Sequence, residues 1–279
     1  MLVIALSLAA AMAALWWQRM AIVEHFVQRE LAARNVRASY SVAQIAFRTQ
    51  RIENLVLGDP ARPDLTARSV EVDIDYGAFM PRVGAVRARG VRLLGRVDDK
   101  GLHLGELDKF RDPASKEPFS FPDIDLTLED ARARLETPVG AVGLSLRGSG
   151  RLGDGFTGTV GAVIRDARFG ACNAPLASGY AALRIEDGAP KVKGPLRAPA
   201  LRCGDMGAAA IAFNADLAFD KALKQVSGRL TGGAEAARGG GATLARPRAD
   251  LRFSGSMQAL RGRAALDLAG WEGTDIFAH

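Results

Sequence analysis

The residues best equipped for chemistry are Glu71, Asp73 and Asp75, three carboxylates at two-residue steps in the stretch Ser-Val-Glu-Val-Asp-Ile-Asp-Tyr. In an extended strand they share one face about 7 Å apart, where two carboxyl groups could divide acid and base roles. That division needs a neighbour that raises one pKa above the other, and the sequence around them offers none. The reading is a solvated face opposite an oily one. Two nominal GxGxxG patterns occur, Gly148-Gly150-Gly153 and Gly153-Gly155-Gly158. Dinucleotide binding requires such glycines to open a helix, whereas residues 159–164 continue as strand, so hairpin turns are expected. No phosphate loop, nucleophile elbow or zinc-protease helix is present, and His25, His103 and His279 have no partner at ligand spacing. No catalytic residue, cofactor or metal is expected.

The two cysteines, Cys172 and Cys203, lie too far apart for a CxxC redox or zinc motif. In an exported chain the oxidising compartment favours a bridge between them, with two free thiols as the alternative. The 279 residues carry a net charge of +6, and the pI is near 9.7, which raises nucleic acid as a partner. Single-strand binding needs aromatics among the basic residues, yet only 6% of the chain is aromatic. The densest basic group, Arg82, Arg87, Arg89, Arg92 and Arg96, falls in a strand-like region and reads as a solvated face. No nucleic acid is expected, and anionic lipid headgroups are the more sensible partner.

The element that decides where these residues work is the first. Residues 1–17 contain no charged side chain, and Trp16-Trp17-Gln18-Arg19 closes the run. Extended to residue 23 behind a snorkelling Arg19, the run is long enough to span a bilayer. An uncleaved anchor is preferred to a signal peptide, because the bulky Trp pair stands where a small-residue cleavage site belongs. No Lys or Arg precedes the span. The expected location is the inner membrane, crossed once, with the bulk of the chain in the periplasm. Met20, Val23, Val27 and Leu31 then continue at helical spacing, so residues 24–35 are expected to form an amphipathic stalk that Asn35 stops.

Beyond Asn35 the period changes from 3.6 to 2. The fold class is mainly β: an N-terminal transmembrane helix and amphipathic stalk followed by a long, curved antiparallel sheet forming a groove. Residues 36–110 are expected as an N-terminal β domain with a short helix near 104–110. A Pro-rich loop follows over 111–122, and the antiparallel β groove continues over 123–279, where the pattern breaks off. Helix-forming sequence is scarce after Asn35, so the oily face must be covered by another sheet or by something that is not protein.

From residue 55 onward six short stretches follow in order: Leu-Val-Leu-Gly-Asp-Pro-Ala, Pro-Asp-Leu-Thr-Ala from 63, Val-Glu-Val-Asp from 70, Val-Arg-Ala-Arg-Gly-Val-Arg-Leu from 86, Gly-Arg-Val from 95 and Gly-Leu-His-Leu-Gly-Glu-Leu-Asp from 101. This order resembles the N-terminal portion of the bacterial AsmA-like proteins, in particular the YdbH branch, which is related to TamB. The resemblance implies a Gram-negative cell envelope, phospholipid moved between inner and outer membranes along a β groove, and an outer-membrane or periplasmic protein partner. It implies no catalytic residue. The family is longer than this chain, which reads as an N-terminal fragment or a shortened member. The candidate lipid-facing residues are Val70, Val72, Ile74, Ile124, Leu126, Leu128, Val142, Leu144 and Leu146. The competing expectation is a structural β-sandwich or solenoid whose oily face is filled by its own side chains.

Overall fold

The computed structural model describes residues 32–46, 49–76, 81–98, 101–110, 120–256, 259–267 and 271–272. The span expected at 1–23 and most of the stalk lie outside the described residues, among which no helix is long and apolar enough to cross a membrane. Residues 32–35 close a helical turn. The Asn35 N–H donates to the Ala32 carbonyl at 3.0 Å, and Asn35 takes the left-handed conformation, φ 52°, that its short polar side chain tolerates better than most.

From there the chain is sheet. The first strands are β1 (Ala38–Ile45), β2 (Thr49–Asp59), β3 (Arg62–Tyr76), β4 (Pro81–Arg89), β5 (Arg92–Asp98) and β6 (Gly101–His103), followed by a 3-10 helix over Gly105–Phe110. Next come β7 (Asp125–Thr137), β8 (Gly140–Arg151), β9 (Phe156–Phe169), β10 (Cys172–Glu186), β11 (Ala189–Cys203) and β12 (Met206–Phe219). The chain ends in β13 (Gln225–Gly233), β14 (Ala236–Gly239), β15 (Ala242–Ala245), β16 (Arg248–Ser256), β17 (Ala259–Asp267) and β18 (Trp271–Glu272). All of them join one sheet. Most sequential strands pair antiparallel through short turns, as the alternation and turn residues dictate, while the β14–β15 hairpin is inserted between β13 and its partner β16.

One part departs from the all-antiparallel expectation. Strands β4 and β5 form a single line beside β3, broken at Gly90 (φ 63°), and β7 runs parallel to both. β7 begins beside Ala85 of β4 and runs on past β5, so it lies along the whole of their common line. Glu106 ties the 3-10 helix to the start of the sheet. Its buried carboxylate accepts from the Arg37 N–H at 3.0 Å and the Lys109 ammonium at 2.7 Å, while Lys109 also donates to the Asn35 carbonyl at 2.5 Å. Lys109, then the Arg37 N–H and the two positive charges, hold the Glu106 carboxyl below its ordinary range against its burial.

A crease crosses the long strands. Asp166 (φ 52°) in β9 stands opposite Pro175 in β10, and Ala210 (φ 51°) in β12 stands opposite Pro199 in β11. The line continues where the Glu235 N–H donates to the Ala209 carbonyl and the Arg246 N–H to the Glu235 carbonyl. A left-handed residue interrupts the two-residue alternation, and a proline has no N–H for the ladder. The apolar set accordingly changes parity, from Ile164 and Ala177 before the crease to the buried Ala167 and Ala174 after it. Past the crease lie three hairpin ends that turn at Gly170, Gly204 and Gly240, with φ of 58°, 59° and 57°. We call them the lip. Cys172 and Cys203 pair in register there and are disulfide-bonded.

Candidate functional site

Register fixes which side chains share a face, because directly opposed residues in a ladder point the same way. One row runs Ala133, Leu144, Ala162, Gly179 and Leu196 through β7 to β11, then Phe213, Gly232, Ala249 and Leu266 through β12, β13, β16 and β17. A second row, four residues along each strand on the same face, runs Gly148, Gly158, Leu183 and Val192, then Leu217, Gly228, Phe253 and Gly262. Neither row contains a charged or hydroxyl side chain. Nine strands at about 4.8 Å spacing make this face roughly 40 Å long.

The expected lipid-facing residues divide as follows. Val70 pairs with Ala88 and Val72 with Val86; those partners lie beside Leu128 and Leu126, which oppose Gly148 and Gly150. Val70, Val72, Leu126, Leu128, Val142, Leu144 and Leu146 therefore share the face of the two rows. Ile74 lies past a register slip, opposite Val83, and Ile124 precedes β7, where its carbonyl accepts from the Leu152 N–H at 2.8 Å. The β10–β11 part of the face, with Ala177, Leu183, Val192 and Leu196, was not among the expected residues. These strands interleave Ala, Gly and Pro with Lys and Arg, which dilutes the apolar signal.

One end of the face is closed. Phe156 is 1% exposed and Ile185 3%, and Val226 is also buried. The Phe156 ring lies over Gly148, where a Cβ would stand 2.7 Å from its Cζ. Toward the crease the face opens into an apolar cleft of about 340 Å³ lined by Val142, Ile164, Ala177, Leu196, Ile211 and Phe213, within the usual size range of small-molecule sites. Within the described residues no second sheet lies over it, and the 3-10 helix packs against β2 and β3.

The opposite face is polar and cross-linked. Arg87 donates to Glu71 at 2.9 Å and Asp73 at 2.7 Å, Arg92 to Asp130 at 2.8 Å, and Arg229 bonds Asp250 through both carboxylate oxygens. The Thr49 hydroxyl and then Arg87 hold the Asp73 carboxyl below its ordinary range. That is the reverse of what a general acid needs. The glycines of the two GxGxxG patterns lie in and around the β8–β9 hairpin, with strand on both sides. Among the described residues no three His, Cys, Asp or Glu side chains gather as a metal site.

No curated protein and no solved structure matches the chain. A family model does, over residues 6–274, under the description YdbH-like, Intermembrane phospholipid transport protein YdbH. With nearly the whole sequence inside that match, the chain belongs to the YdbH-like family of intermembrane phospholipid transport proteins.

Proposed function

We propose that the chain is an inner-membrane-anchored periplasmic conduit that carries phospholipid acyl chains along the apolar face of its sheet toward the outer membrane. The observation that carries this reading is the pair of uncharged rows, one crossing nine strands and the other eight, with no second sheet over them among the described residues. Each methylene laid on such a face gains about 0.8 kcal/mol. Headgroups stay in water at the open side. Movement needs no chemistry at any step, only neighbouring positions of nearly equal energy, and Ala, Gly, Val and Leu supply them. Direction comes from the lipid supply at one end and an outer-membrane or periplasmic partner at the other. The anchor at residues 1–23 belongs to the same proposal.

The test places a photoreactive residue at Leu196 or Val72 on the apolar face, and at Arg197 or Asp73 on the polar one, in cell envelopes. Phospholipid adducts are expected at the first pair and not at the second. Equal labelling of both faces, or protein adducts alone at Leu196, would remove the conduit from consideration. A lipid-free structural sheet is favoured by one observation, the dry seat of Phe156 and Ile185. It predicts that the purified chain contains no phospholipid.

A further inference from the structure

The lip past the crease has two unlike faces. One is apolar: Leu201 pairs with Ala208, Ala208 with Ala237 and Ala237 with Leu244, beside a cleft of about 450 Å³ that Met206 and Cys203 also line. At its outermost positions Phe169 is 45% exposed and Met206 60%. The other face carries a basic row: Arg168 pairs with Asn173, Asn173 with Arg202, Arg202 with Gly207 and Gly207 with Arg238. All three arginines are exposed. Some arginines elsewhere on the sheet are matched, as Arg87, Arg92 and Arg229 are; what sets the lip apart is that three exposed ones stand in a single row at hairpin ends. Within the three hairpin ends the only carboxylate is Asp205.

We infer that the lip is a docking surface for a bilayer rich in anionic phospholipid. Exposed Phe169 and Met206 enter the boundary between headgroups and acyl chains, and Arg168, Arg202 and Arg238 meet the phosphates. The hairpin ends suit shallow insertion and no more. Their glycine turns leave backbone groups that must stay within reach of water or headgroups, so the tips cannot enter the hydrocarbon. Charge selects the occupant: a row of exposed guanidiniums favours a surface of phosphate esters, which Arg binds through a planar fork. The Cys172–Cys203 bridge joins two of the three ends, so that Phe169 and Met206 approach the surface as one unit.

The full chain, reconstituted in phosphatidylcholine vesicles, is offered a second, labelled vesicle population, either pure phosphatidylcholine or with about a third phosphatidylglycerol. Capture of the anionic vesicles is expected, weakened about fivefold by each of Arg168→Gln, Arg202→Gln and Arg238→Gln and on the order of a hundredfold by all three. Phe169→Ser with Met206→Ser should weaken capture at unchanged salt dependence. Equal capture of both vesicle types, wild-type capture by the triple variant, or capture that needs the same chain on the second vesicles would overturn the inference. The last of these would identify a protein contact. Lipid adducts at Leu196 are read in the same preparations. Lost capture with adducts intact concerns the lip alone, and retained capture without adducts concerns the conduit alone.

Discussion

Leu196→Asp puts one carboxylate in the middle of the apolar face and should stop transport without unfolding the sheet. Leu196 sits between Gly179 and Phe213 in the central row and is 39% exposed. Its Cδ2 lies where a Gly179 Cβ would be, 2.6 Å from that position. Removing this partly buried side chain should cost about 1 kcal/mol of stability, within the ordinary range for a single substitution. The effect on a passing tail is larger. Two or three methylenes lose their contact at about 0.8 kcal/mol each, and they press against an ionised carboxylate whose partial desolvation costs a further 1–3 kcal/mol. A local barrier of roughly 3 kcal/mol slows passage on the order of a hundredfold. Transfer of a labelled phospholipid between vesicles bridged by the reconstituted chain reads the rate, and a urea titration reads the fold. Arg197→Asp, one residue along on the polar face, should leave transfer within about twofold. Wild-type transfer by Leu196→Asp, with the sheet intact, would refute the assignment of this face as the path.

Phe156→Ala should destabilise the sheet by about 3–5 kcal/mol, because the side chain is 1% exposed and Gly148 cannot fill the space it leaves; a fall in the urea midpoint at unchanged slope checks it. Glu106 gives a pH signature. Its folded carboxyl pKa lies below the ordinary value, so the stability it contributes is present above the unfolded-state pKa and is lost as pH falls through the folded one. Glu106→Gln should lower the urea midpoint at neutral pH and flatten its decline in acid. Opening the Cys172–Cys203 bridge, which closes a separation of 31 residues, should cost at most about 3–4 kcal/mol by the chain-entropy relation, read as the difference between oxidised and reduced urea midpoints.

Much of the sheet was legible from period-two alternation because one face meets water and the other does not. Val70-Glu71-Val72-Asp73 shows it best: the valines share the apolar face with Leu126 and Leu128, and the acids bond Arg87 across the ladder. The pattern blurs where backbone breaks enter. At Asp166 and Ala210 the apolar parity resets, so a fixed two-residue window over β9 or β12 loses the face halfway along. Strands β10 and β11 were hidden for another reason. Pro175, Pro195 and Pro199 argue against a ladder, yet two of them face left-handed residues at the crease. The parallel seam between β4, β5 and β7 depends on a long-range return through the Glu106 knot, to which local alternation is blind.

A conduit of this kind requires an even floor, and the glycines in the second row offer a reason why it is even. Gly228 lies between Leu217 and Phe253, and a Cβ there would stand 2.6 Å from Leu217 Cδ2 and 2.8 Å from Phe253 Cζ. The ring therefore lies flat across a bare backbone instead of standing up from the sheet. On the far side a Cβ at Gly262 would meet the Arg252 carbonyl oxygen at 2.6 Å and Phe253 Cβ at 3.1 Å, so there too the backbone is closely approached. Gly228→Ala should lift the ring and cost about 1–3 kcal/mol by overpacking. It should also slow lipid transfer, because a raised aromatic edge makes adjacent positions unequal in energy. If flatness is the cause, Gly228→Ala combined with Phe253→Ala should restore transfer toward wild type while remaining less stable than the parent. Transfer that follows stability through both variants would instead make these glycines purely a packing device.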